Sequence, residues 1–131
     1  ETDLDAFVYR KFQYLIRTLR TRRTTRVPYI IHSAIAYIEK HYTESISLED
    51  IADHVGLTPQ YFSTYFKEEM DCNLIDYIAR LRIEKAKEII QMSVQEICFI
   101  VGYHDPNYFS RIFKKYVGVT PTKYKKEFGG V

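Results

Sequence analysis

Two groups of polar side chains recur at matched places in this 131-residue sequence. The first holds Gln60, Ser63, Thr64 and Lys67, and the second holds Asn107, Ser110, Arg111 and Lys114. Spacings of three and four gather side chains on one face of a helix, because each residue turns about 100°. With Gln60 at 0°, Ser63 falls near about 300°, Thr64 near about 40° and Lys67 near about 340°. Phe62, Tyr65 and Phe66 fall on the other side. In the second group Phe109, Ile112 and Phe113 take that inner side. Amide, hydroxyl and guanidinium groups supply the donors and acceptors that match base edges in a DNA major groove. Any surface helix is polar outside, so a single stripe says little. Two copies on one scaffold say much more.

Other chemistry finds no support. His32, His41, His54 and His104 share no metal-ligand spacing, and Cys72 and Cys98 form neither a metal pair nor a disulfide framework. There is no phosphate-binding glycine loop, no dinucleotide fingerprint and no nucleophile elbow. Twelve tyrosines fit amphipathic packing. The expectation is a protein that is not an enzyme and needs neither cofactor nor metal.

The stripes must be held by helices, and almost the whole chain reads as helix. Pro28 suits the first position of a helix running to about residue 42, with Ile31, Ile35 and Ile38 as its buried stripe. Ser47 caps a short helix, 48–55, which Gly56 stops. Pro59 opens a helix to about 70. A long helix follows from 74 to about 91, with Ile75, Ile78, Leu81, Ile89 and Ile90 as apolar positions. Ser93 caps 94–101, Gly102 ends it, Pro106 opens a helix to about 116, and a last one runs from 120–121 to 128. Ahead of these, Val8, Phe12, Leu15 and Leu19 predict an extra amphipathic helix over residues 4–20, followed by five arginines between Arg17 and Arg26.

Two of these segments are copies. Ser47 through Gly56 matches Ser93 through Gly102 at an offset of 46, and Tyr61-Phe62-Ser63 with Phe66-Lys67 matches Tyr108-Phe109-Ser110 with Phe113-Lys114 at 47. The second turn therefore holds one extra residue. Each unit is a capped helix, a glycine turn and a second helix, which is the helix-turn-helix pattern. The fold expected is all-α, with two helix-turn-helix subdomains (27–73 and 92–131) joined by a connecting helix (74–91) and preceded by a linker and extra helix (1–26). About 18 residues of connecting helix would span about 27 Å, against about 34 Å between successive major grooves. Helix width supplies the rest.

The net charge is only +2, which looks small for a nucleic-acid binder. It is a cancellation: residues 1–26 carry +4, 27–58 carry −4, 59–91 carry −1 and 92–131 carry +3. Two basic ends flank an acidic middle. No apolar run approaches a membrane span.

The sequence resembles the DNA-binding domain of the AraC/XylS family of bacterial transcription regulators. The matching residues are Ile51-Ala52, Val55-Gly56, Tyr61-Phe62-Ser63 and Phe66-Lys67, then Tyr77-Ile78, Arg82, Ala86 and Ile89-Ile90. The most specific stretch is Ile97, Val101-Gly102-Tyr103, Tyr108-Phe109-Ser110-Arg111, Phe113-Lys114-Lys115, Gly118-Val119-Thr120-Pro121 and Tyr124. Asp71, where the family usually has glycine, and Cys98, where it usually has alanine, depart from the pattern. The resemblance implies seven helices and binding to promoter DNA, with base contacts from Gln60, Ser63, Thr64, Asn107, Ser110 and Arg111. Lys67, Lys114 and the helix N-termini at Ser47 and Ser93 would meet phosphates, and Arg82 would act structurally. RNA polymerase is expected as a further partner, and two cysteines without a disulfide framework make a reducing, cytoplasmic setting the default. A regulatory domain is expected N-terminal to a chain that starts at Glu1 without an initiator Met, with homodimerisation through that region or residues 4–20. The competing reading is an all-helical protein-interaction module with no DNA target.

Overall fold

A computed structural model describes residues 27–129. The expected helix over 4–20 and the arginine-rich segment lie outside the described residues. Seven helices are described: α1 Val27–His41, α2 Leu48–Val55, α3 Pro59–Met70, α4 Leu74–Glu88, α5 Val94–Ile100, α6 Pro106–Val117 and α7 Pro121–Phe128.

Local chemistry sets most of these boundaries. Ser47 and Ser93 each form a reciprocal capping box. The Asp50 and Glu96 backbone N–H groups donate to the serine Oγ atoms, both at 3.1 Å, while their carboxylates accept from the serine backbone N–H groups. The proline at the first turn of α3, α6 and α7 lacks an N–H that would have no partner there anyway. The two glycine turns repeat bond for bond. Leu57 N–H donates to the Ala52 carbonyl at 3.0 Å and Gly56 N–H to Asp53 at 3.2 Å; Tyr103 N–H donates to Cys98 at 2.9 Å and Gly102 N–H to Phe99 at 3.2 Å. Both glycines take positive φ, 77° and 105°, where a side chain would be strained. Asp71 adopts the same kind of cap at φ 60°, so the departure from glycine changes the residue and keeps the turn.

Two hydrophobic cores form, and α4 belongs to both. Its first half supplies Leu74, Tyr77 and Leu81 to a core with Ile31, Ile35, Ile38, Ile51, Phe62 and Phe66. Its second half supplies Ile83 and Ala86, with Ile90 just beyond, to a core with Ile97, Val101, Phe109 and Phe113. The copies pack alike: Phe66 meets Tyr77 edge-on at 5.5 Å, and Phe113 meets Tyr124 edge-on at 5.6 Å. Tyr77 and Tyr124 are also 47 residues apart, so the repeat extends into the start of α4 and into α7.

Two expectations change. Ile75 is 82% exposed rather than buried, because the buried face of the first turn of α4 runs through Leu74 and Tyr77. The connecting helix ends at Glu88, and residues 89–92 turn through Ile89 N–H to Ala86 and Met92 N–H to Ile89. Its length is thus about 22 Å rather than about 27 Å, and more of the distance between units falls to helix width.

Candidate nucleic-acid interface

The polar stripes lie where the spacing places them. On α3, Gln60, Thr64 and Lys67 are exposed and Ser63 is half-buried; on α6, Asn107, Arg111 and Lys114 are exposed and Ser110 is half-buried. Behind each stripe stands a fully buried pair of phenylalanines one turn apart, Phe62–Phe66 at 5.7 Å and Phe109–Phe113 at 5.9 Å. Losing one of these rings to alanine would cost about 3–5 kcal/mol, so each stripe is fixed by a core it cannot leave.

The start of each reading helix is also held. Thr58 Oγ1 accepts from Tyr61 N–H at 3.3 Å, and Asp105 Oδ1 accepts from Asn107 N–H at 2.9 Å. The extra residue of the second turn, His104, is exposed. The helices differ just beyond the lysine. Glu68 and Glu69 come after Lys67, whereas Lys115 comes after Lys114, with its ammonium 5.3 Å from the Tyr116 ring centroid.

Two exposed aromatic residues beside the stripes are not picked out by the helical spacing. Tyr61 is 62% exposed and Tyr108 is 45% exposed, at equivalent positions flanking the stripes. Arg111 extends its guanidinium to 5.8 Å from the Tyr108 ring centroid, and Tyr108 packs edge-on against Tyr103 at 5.8 Å. An arginine lying on an aromatic face is partly ordered before it meets a target. The signal was available: both tyrosines sit about 100° round from the first stripe residue, on the border between inside and outside.

Ser47 and Ser93 are the expected N-caps. Both hydroxyls are engaged in capping, and the Asp50 and Glu96 carboxylates stand at the helix starts. Negative charge already complements these dipoles. What remains for a phosphate is the unbonded N–H groups of the first turn.

Arg82 is a structural hub. Its Nε donates to the Tyr42 carbonyl at 2.8 Å and its Nη2 to the Glu44 carbonyl at 2.9 Å, while its guanidinium lies 5.1 Å from the Tyr103 ring centroid. Burial, partly offset by Arg82, pushes the Tyr103 hydroxyl up to about 12. Burial also raises the Cys98 thiol, with Asp105 adding to the shift, so Cys98 is a small core residue and not a thiolate. The histidines do not converge. His32 and His104 are exposed, and His41 and His54 lie on the Tyr37 ring at 4.4 and 4.6 Å. Among the described residues no group of three His, Cys, Asp or Glu side chains could hold a metal ion, and no helix is long and apolar enough to cross a membrane.

Two capped helix pairs with exposed polar reading faces, set on one connecting helix, define a helix-turn-helix DNA-binding unit. A family profile described as a helix-turn-helix domain matches residues 51–127. An uncharacterised HTH-type transcriptional regulator from the cgkA 5' region of Pseudoalteromonas carrageenovora is 33% identical over 100 residues, covering 76% of this chain and 60% of the relative. The C-terminal domain of AraT, a response regulator from Geobacillus stearothermophilus, superposes with a TM-score of 0.74 at 34% identity, covering 79% of this chain and 88% of that one. The DNA-binding domain of AdpA, solved with a target DNA, shares the fold at a TM-score of 0.69 and 17% identity, covering 77% and 97%. The chain belongs to the AraC-type helix-turn-helix family. It spans 60% of the length of the Pseudoalteromonas relative and less than half of the raffinose operon regulator RafR of Pediococcus pentosaceus.

Proposed function

We propose that this chain binds double-stranded DNA sequence-specifically as the DNA-binding domain of a bacterial transcription regulator, with α3 and α6 entering successive major grooves. The observation that carries this is the duplicated exposed stripe, fixed in both copies by the same pair of buried phenylalanines. Gln60, Ser63 and Thr64 read one half-site, and Asn107, Ser110 and Arg111 read the other. Lys67 and Lys114 contact phosphates, and first-turn N–H groups after Ser47 and Ser93 add to them. Subdomains 27–73 and 92–131, joined by 74–91, then act as two reading heads on one monomer, which implies a non-palindromic site.

The AdpA domain of the same fold is held on its target DNA, and the AraT relative is the C-terminal domain of a response regulator. The second supports a regulatory region N-terminal to this unit, and the proposal extends to promoter DNA in the bacterial cytoplasm as target and RNA polymerase as a further partner. Homodimerisation is assigned to that region or to residues 4–20. A gel-shift titration of the chain against genomic fragments at low salt tests the core of the proposal. A retarded species that survives competitor DNA is expected. Its absence would favour a protein-interaction module instead.

A further inference from the structure

Two side-chain clasps tie the second subdomain to α4, and neither uses a base-reading residue. In the first, the Tyr116 hydroxyl of α6 donates to the Asp76 carboxylate near the start of α4. Arg80 Nε lies 3.1 Å from the other oxygen of Asp76, and its guanidinium is 5.2 Å from the Tyr116 ring centroid. In the second, Arg82 joins the Tyr42 and Glu44 carbonyls after α1 to the face of Tyr103 after α5. Gly102 lies so close beneath that an added Cβ would sit 2.7 Å from the Tyr42 carbonyl oxygen. Arg80 and Arg82 are two residues apart, so at about 100° each they leave nearly opposite faces of α4. The core of Ile83, Ala86, Phe109 and Phe113 already packs α6 against α4, so what the clasps can limit is the remaining rotation about the axis of α4. Attachments on opposite faces remove that freedom.

On the reading that α3 and α6 occupy successive grooves, we propose that the Asp76–Tyr116 pair, oriented by Arg80, is a positioning element that makes the distance between half-sites part of what the protein recognises. One inserted base pair moves the second half-site by about 3.4 Å and rotates it by about 35°. A hinged pair of heads would follow that shift. A clasped pair must break the clasp or distort the DNA, and both cost affinity. Asp76 and Tyr116 are positioning residues here, since neither is placed at a base or a phosphate.

The test begins with selection of binding sites from a random 40-base-pair duplex pool by the full 131-residue chain. The best site is then compared with versions carrying one base pair more or fewer between its halves. The unaltered chain should lose about tenfold or more in affinity on either change. Tyr116→Phe, which keeps the ring, and Asp76→Asn, which keeps the shape, should lose about threefold or less, while single half-site probes bind all three proteins alike. Circular dichroism identifies any variant that fails to fold, and the other then decides. Equal spacing penalties in the unaltered chain and the folded variant would overturn the proposal, as would an unaltered chain that tolerates both spacings. If the unaltered chain enriches no sequence at all, the DNA-binding reading fails first and the spacing proposal with it.

Discussion

Arg111 rests on the ring of Tyr108, and Lys114 lies exposed one turn further along α6. The two are expected to fail differently. Arg111→Ala should cost about 1–3 kcal/mol at one base pair and relax the preference there, read by competition with single-base variants of the site. A loss shared equally by all sequences would make Arg111 a phosphate contact. Lys114→Ala should weaken every sequence alike and lower the salt dependence of binding by about one counterion. Two tyrosines add a pH dependence. Burial, joined by its hydrogen bond to the Asp76 carboxylate, pushes the Tyr116 hydroxyl up to about 12 from an ordinary 10.0, and burial raises Tyr103 to about 12 as well. The folded state holds these protons more tightly than the unfolded chain does. Their contribution is therefore complete below pH 10.0 and is lost as pH rises toward about 12. Denaturant midpoints measured across that window should fall, and Tyr116→Phe should make the fall shallower.

At the scale of helices and turns, Gly56 and Gly102 make the same hydrogen-bonded turn in different surroundings. A Cβ on Gly56 meets nothing within 4 Å, whereas one on Gly102 meets the Tyr42 carbonyl at 2.7 Å and the Arg82 guanidinium. Gly56→Ala should cost about 1 kcal/mol, the backbone penalty alone. Gly102→Ala should cost at least about 2 kcal/mol, because backbone strain adds to a clash with a main-chain atom that cannot step aside. Equilibrium unfolding of the two variants gives the comparison. The turns also show what sequence can disclose. Ser47, Ser93, the helix-opening prolines and the glycines act within four residues of themselves, so the helix starts at Leu48, Pro59, Val94, Pro106 and Pro121 are legible in order and type. The polar stripes are legible because a helical period is a local property. Ile75 departs from its expected burial because helical spacing cannot say which neighbour a first turn will meet. The Asp76–Tyr116 bond and the Arg82 bond to Tyr42 each span 40 residues, and no local pattern announces a pairing at that separation. The exposure of Tyr61 and Tyr108 is half-legible, since both lie on the border of the wheel.

For the molecule as a whole, the small net charge resolves into unequal halves, and the structure redistributes it further. Residues 27–91 carry −5 and residues 92–131 carry +3. Part of the second figure is committed internally, because Lys125 donates to the Met92 carbonyl at 2.8 Å. Arg111, Lys114, Lys115, Lys123 and Lys126 remain exposed. Damage to the second reading helix, by Asn107→Ala with Arg111→Ala, should therefore reduce affinity more than Gln60→Ala with Thr64→Ala, and the gap should narrow as salt screens it. Titrations of both double variants at two salt concentrations measure this.

Because Leu74, Tyr77 and Leu81 close one core and Ile83, Ala86 and Ile90 close the other, the duplication is an overlapping one, with α4 spent twice. No peptide bond in that helix can be cut to leave two whole units, since either fragment exposes a raw apolar face. The halves must then melt together, as one heat-absorption peak whose calorimetric and van't Hoff enthalpies agree. Recombination that moves this sequence into another protein transfers both reading heads or neither.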